Sequence, residues 1–246
     1  MSAAGFAPDW PAPPSVRAWV TERGGSARYG TMNLATHVDD DVSAVAANRG
    51  LLRAELALPA EPSWLEQVHG ARVLDLDREQ IAPADGAVTT RASVVCAVLT
   101  ADCLPVVLCD RAGGCVGVAH AGWRGLLAGV LPAAVAAFRR DPAEILAWLG
   151  PAIGPAAYEV GADVRDPFVA RLPGAERWFA RNARGRWQAD LYGLARDSLA
   201  AAGVRSVHGG GYCTFTEVER FFSHRREAPC GRMGTLAWLD PGSVHT

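Results

Sequence analysis

The chain has 246 residues, 50% of them hydrophobic and 20% charged, enough apolar material for a sizeable core and too much for a disordered segment. A formal net charge of −2 gives no general attraction to nucleic acid or to an anionic membrane. All 24 basic residues are arginine, so Schiff-base chemistry on a lysine amine and a P-loop lysine are both excluded.

The opening residues, MSAAGFAPDWPAPPSVRAWV, carry neither a basic n-region nor a long apolar stretch and do not read as a signal peptide. No uncharged apolar run approaches the roughly 18 residues of a membrane span, so the expectation is a cytoplasmic protein. Val16–Thr21 reads as an opening strand, followed by the loop RGGSARYGTMNLATHVDDD. Asp41 is placed to cap a helix over residues 42–56, along which Val45, Leu52 and Leu56 fall near one face. Residues 64–68 and 73–76 read as strands on either side of QVHGAR.

The stretch SVVCAVLTADCLPVVLCDRAGGCVGVAHAGWRG then holds three apolar runs, 93–99, 105–108 and 115–119, with a Gly113-Gly114 turn that suits a hairpin. Residues 126–138 form a helical stretch that Pro132 interrupts. Ile145–Leu149 is a short strand. Asp190 and Gly203 bracket a helix, and residues 235–239 make a last strand. Strands and helices are interspersed without strict βαβ alternation. The expected fold is therefore one α/β domain over residues 1–246, a sandwich of mixed β-sheets with flanking helices.

Six cysteines in a cytoplasmic chain are not expected to pair, and none forms CxxC. Cys96 lies in an apolar strand pattern, and Cys109 and Cys115 flank the hairpin turn, so these read as packing residues. Cys103 differs. It stands where an apolar run stops, and His69 and His120 share that context, each following an apolar stretch and preceding a glycine within two residues.

Two imidazoles and a thiolate at strand ends make a three-ligand set for Zn²⁺ with a fourth position open. Their separations, 34 and 17 residues, match no local zinc-finger spacing. The same residues also read as a thiolate–imidazole pair, Cys103 with His120, oriented by Asp102. The plain structural readings are surface histidines at strand ends and Asp102 as a turn cap. Residues alone leave these open. HExxH, GxSxG, GxGxxG and the zinc-deaminase signature are all missing.

Several stretches together, LEQVHGARV, ADGAVTT, LTADCLPVVLCD, VGVAHAGWRG, GPAIGPAAYEVG and CTFTEVERFFSHRRE with GRM, give the chain a wider likeness, as does the 23–41 loop with Asn48-Arg49. In these the chain resembles the laccase-domain proteins, also called multicopper polyphenol oxidoreductase-like or peptidoglycan editing factor proteins. QVHG, TADC and AHAGWRG in that order are specific to the family, and the likeness spans nearly the whole chain. It implies an α/β sandwich with His69, Cys103 and His120 as zinc ligands. It also implies purine nucleoside chemistry: phosphorolysis of adenosine, inosine, guanosine and methylthioadenosine, and adenosine deamination.

Older family labels are copper-dependent phenol oxidation, which would put Cu²⁺ at the site, and editing of peptidoglycan precursors by a cysteine amidohydrolase. The six histidines are too few for a multicopper cluster at several imidazoles per ion. A metal-stabilised binding protein without turnover is the alternative from another class. One departure is Cys230, where the family usually has threonine, and a thiol would bind a substrate oxygen poorly.

Within the resemblance the remaining roles can be distributed. Zinc lowers the pKa of a bound water to about 7, which deamination at purine C6 requires, and Asp102 is the candidate proton donor. Arg124 and Arg49 are the candidates for phosphate, since a guanidinium presents a bidentate fork. Gln67 would share a strand face with His69 and reach a purine edge. Phe215, Phe221 and Phe222 offer stacking faces, and His37 and His224 are supporting donors. The expected partners are purine nucleosides and phosphate, with no nucleic acid and no membrane.

Overall fold

A computed structural model of the chain describes residues 4–25, 27, 29–240 and 242; His245, and Ser26 and Arg28 of the 23–41 loop, lie outside the described residues. In chain order the first elements are β1 (Gly5–Phe6), β2 (Val16–Thr21), α1 (Val42–Glu55), β3 (Ser63–Trp64), β4 (Val73–Asp75) and β5 (Gly86–Thr89). The apolar centre follows as β6 (Val95–Thr100), β7 (Leu104–Asp110) and β8 (Val116–Ala121), then α2 (Trp123–Ala128), α3 (Val130–Ala137) and β9 (Ile145–Leu149). The remainder is β10 (Glu159–Val160), α4 (Ala162–Arg171), β11 (Phe179–Arg181), β12 (Trp187–Ala189), α5 (Leu191–Ala201), β13 (Ser206–Gly209), α6 (His224–Glu227) and β14 (Met233–Leu239).

Two mixed sheets dominate. One has the order β1-β2-β14-β6-β3, with only the β3–β6 pair parallel; the other runs β13-β9-β7-β8-β5-β4, parallel at both edges and antiparallel within. A small antiparallel sheet, β10-β12-β11, stands apart. Every residue of β6, β7 and β8 is buried, because both faces of these strands are covered, which explains their near-continuous apolar runs.

Alternation sorts their side chains into layers. Cys96 and Val98 of β6 meet Val107 and Cys109 of β7 and Val118 of β8 between the two sheets. Val95, Ala97 and Leu99 face the other way, against Leu52 of α1 and the loop residues Met32 and Leu34. On the far side, Val106, Leu108 and Ala147 pack under Leu131, Ala134, Leu194 and Leu199 of α3 and α5. The result is helix, sheet, sheet, helices: the expected sandwich of mixed sheets with flanking helices.

Local signals account for several boundaries. Asp41 caps α1 by accepting from the Ser43 and Ala44 amides. The β7–β8 hairpin closes on Asp110, whose carboxylate accepts from the Gly114 and Cys115 amides at 2.7 and 3.0 Å.

Two expectations need correction. The strand expected over 64–68 ends at Trp64. Beyond it the Val68, His69 and Gly70 amides turn to the Asp85 carboxylate instead of to a neighbouring strand. The helix of 126–138 is two helices broken at Gly129, in the left-handed region at φ 96°, and not at Pro132. Pro132 sits in the first turn of α3, where an amide has no intrahelical acceptor to lose.

Candidate metal centre and cavity

Two turns and one strand deliver the candidate ligands. His69 lies on the turn after β3 at φ 58°, Cys103 on the turn joining β6 to β7, and His120 near the end of β8, opposite Pro105 of β7. Their ligand atoms lie within 4.8 Å of one another. Cys103 Sγ is 3.9 Å from His69 Nε2, and the two imidazole rings stand edge to face at 4.7 Å.

Asp85, which sequence reasoning missed, organises this group. Fully buried just before β5, it accepts the amides of Val68, His69 and Gly70 at 3.2, 2.9 and 2.6 Å, which shapes the His69 turn. It also takes His120 Nδ1 at 2.7 Å, while its carbonyl accepts the His120 amide. With Nδ1 engaged, His120 presents Nε2 to the cluster, the arrangement that fixes a ligating imidazole. Burial works against the Asp85 charge, but the His120 and backbone hydrogen bonds hold its carboxyl below the usual range.

Burial also resists ionisation of the Cys103 thiol, yet the His120 charge and the bonds from both imidazoles bring it down to about 6. Burial would lower His120; the Cys103 charge and the Asp85 bond raise it to about 9. Without a metal ion, the two shifts favour a thiolate facing an imidazolium. Backbone space matches this chemistry. A Cβ at Gly122 would stand 2.7 Å from Cys103 Sγ and 3.4 Å from His69 Cδ2, so glycine keeps the cradle open.

The cluster forms one wall of a cavity of about 400 Å³, within the range of small-ligand sites. Asp102, Cys103, His69, His120, Gln67, His37 and His224 all line it. The structure changes what several of them offer. Asp102, the expected proton donor, accepts from Thr214 Oγ1 and from the Arg225 amide, both at 2.6 Å, so each oxygen is engaged and its turn is tied to the segment after β13. Gln67 shares no strand with His69; its amide bonds the backbone of Leu99 through both ends, at 2.8 and 2.7 Å. Burial and the Arg232 and Arg49 charges push the His37 imidazole below its usual range.

Five expected residues lie outside the lining. Arg49 stacks on Trp64 at 4.3 Å and forks onto the Leu34 carbonyl, holding α1 to the loop. Phe215 packs against the helical side of the core, and Phe221 and Phe222 are fully buried beside Cys230. Arg124 is exposed on α2, stacked on its neighbour Trp123, which does line the cavity. Cys230 is itself fully buried, so its departure from threonine falls in packing and not on the cavity surface.

The residues missed are Tyr158, Arg225 and Arg232 in the lining, and Asp85 behind it. All four sit within the motifs GPAIGPAAYEVG, SHRRE, GRM and ADGAVTT, which was the available signal. Burial pushes the Tyr158 phenol up, and the Cys103, Arg225, Asp102 and Arg124 charges all act on it. No described helix is long and apolar enough to cross a membrane.

Comparisons with known proteins agree on the family. A family model described as multi-copper polyphenol oxidoreductase laccase matches residues 17–240. A Pseudomonas aeruginosa protein named a purine nucleoside phosphorylase is 50% identical over 236 residues, covering 94% of this chain and 97% of its own. Purine nucleoside phosphorylase YfiH of Escherichia coli strain K12 is 48% identical, with 94% and 97% covered. The crystal structure of Neisseria meningitidis protein NMB0706, described as family-model DUF152, superposes with a TM-score of 0.90 at 44% identity, covering 96% of this chain and 99% of that one.

Proposed function

The chain belongs to the multi-copper polyphenol oxidoreductase laccase family, and on that premise we propose that it is a metal-dependent purine nucleoside phosphorylase that also deaminates adenosine. The observation that carries this is the convergence of His69, Cys103 and His120 within 4.8 Å on the wall of a nucleoside-sized cavity. We place it in the cytoplasm, with adenosine, inosine, guanosine and methylthioadenosine as substrates alongside phosphate.

Zinc is the ion this donor set favours, with two imidazoles, one thiolate and an open fourth side. Such an ion supplies Lewis acidity and activation of water. The chain's own residues do the rest. Asp85 fixes the His120 ring and the His69 turn. Gly122 leaves the space that a side chain would fill. Arg225 in the lining and Arg124 at the rim supply cations for phosphate, replacing the pair of Arg124 and Arg49. Asp102 serves as a positioning residue that joins the Cys103 turn to the Arg225 backbone.

The depressed Cys103 thiol supports a second reading, a cysteine amidohydrolase acting through the Cys103–His120 pair. Metal content and products separate the two. The expected protein carries about one zinc per chain, converts adenosine to inosine without phosphate, and releases adenine only when phosphate is present. His120→Ala abolishes both products, and Cys103→Ser loses the metal. Stoichiometric copper without zinc would favour phenol oxidation. Zinc-bound protein forming neither product would favour the amidohydrolase or a binding protein without turnover.

A further inference from the structure

Two buried tyrosines differ in one respect. The Tyr192 hydroxyl has its one proton shared between the Gly150 and Tyr212 carbonyls, both at 3.1 Å, and accepts the Ala152 amide at 3.0 Å, so its role is complete within the fold. Tyr158 is only 8% exposed, lines the cavity, and its hydroxyl has no hydrogen-bond partner among the described residues. The ring is buried while the hydroxyl opens on the cavity, where a donor with no partner in the fold is available to a ligand.

Its backbone is held firmly. The Tyr158 amide donates to Gly154 and its carbonyl accepts from Ala189, while the Ile153 amide donates to the Asp102 carbonyl. The loop carrying Tyr158 is thereby tied to the turn that carries Cys103. Arg225 completes the surroundings. Its guanidinium lies 5.4 Å from the Tyr158 ring centroid, and NH1 is anchored on the Glu159 carbonyl at 2.9 Å. The rest of the fork has no acceptor among the described residues. One hydroxyl donor beside one guanidinium, next to the thiolate–imidazole cluster, is a donor set for a tetrahedral oxyanion.

We infer that the Tyr158 hydroxyl is a catalytic residue of the phosphate subsite, donating a hydrogen bond to a phosphate oxygen that Arg225 also holds. The inference rests on the phosphorolysis reading above. It gives the unpaired phenol its partner and sets the nucleophile on the metal side of the cavity.

Tyr158→Phe removes the hydroxyl while keeping the ring under Arg225. The KM for inorganic phosphate in nucleoside phosphorolysis should rise about tenfold or more, the effect of losing one hydrogen bond to a charged group. Zinc content and melting temperature should stay as in the unmutated protein, and phosphate-free adenosine deamination should fall far less than phosphorolysis. An unchanged KM for phosphate, or equal loss of both reactions, overturns the inference.

Should the unmutated, zinc-loaded protein release no purine base, the phosphorolysis reading falls, but the subsite is still testable by calorimetric titration with inorganic phosphate. Binding weakened about tenfold in Tyr158→Phe supports the hydroxyl as an anion donor. Equal affinities, or no binding by the unmutated protein, overturn it.

Discussion

At the scale of single residues, Asp85 does more for the site than any ligand, because one buried carboxylate serves both histidines. Its oxygens set the turn that aims His69 and fix the nitrogen that His120 presents. Asp85→Asn keeps the size but replaces an acceptor-only group with an amide whose NH₂ faces donors. Zinc affinity should fall about 10- to 100-fold, as for other partners that orient ligating histidines, measured by competition with a chelator. Unchanged affinity would show that the ligands are aimed by packing alone. Cys103 carries the matching prediction for the metal-free protein. With its thiol near 6 and those of Cys109 and Cys115 near 12, iodoacetamide should label Cys103 first. Because the thiolate is the nucleophile, labelling should appear as pH rises through about 6. Bound zinc should suppress it. Peptide mass spectrometry reads the site, and equal labelling of Cys103 and Cys109 would contradict the ion pair.

At the scale of elements, residues with local reasons to form a structure were legible and those answering to distant partners were not. Val16–Thr21 and Ile145–Leu149 match their observed bounds, and Asp41 and Asp190 cap the helices they were expected to start. Residues 65–70 misled because Leu65 and Val68 look strand-like, while the acceptor that turns their backbone lies at Asp85. Likewise the ligand set was legible through the family motifs, whereas Arg225 and Arg232, though inside the SHRRE and GRM motifs, were two among 24 arginines with nothing to single them out by residue type. The helix break shows the same rule. A proline is conspicuous in sequence, but Gly129 makes the turn, and a Cβ there would touch nothing within 4 Å. Gly129→Ala therefore tests backbone conformation alone and should cost about 1 kcal/mol or more. Pro132→Ala should cost less, since α3 has no amide acceptor at that position. Thermal melts of the two variants rank them; the reverse order would place the break at Pro132.

At the scale of the molecule, the candidate centre sits where the two large sheets meet. His69 follows β3 of the five-stranded sheet, His120 belongs to β8 of the six-stranded one, and Cys103 lies on the turn that passes from one to the other. An ion held by all three closes the sandwich at that end, so its binding energy adds to the stability of the whole fold and not to one loop. With free zinc at about a thousandfold its dissociation constant, the gain is about 4 kcal/mol. A chain of this size shifts by about 2–4 °C per kcal/mol, so chelation should lower the melting temperature by about 10 °C. The transition should remain single, because the sheets share one core between them. Cys103→Ser should remove most of the difference between zinc-loaded and chelated protein. Cys96→Ser, which places a hydroxyl in the apolar layer between the sheets, should lower both melting temperatures and leave their difference intact. Scanning calorimetry of the three proteins with and without chelator decides it. Two transitions, only one of them sensitive to chelation, would mean that the ion braces one sheet's loops and does not join the two.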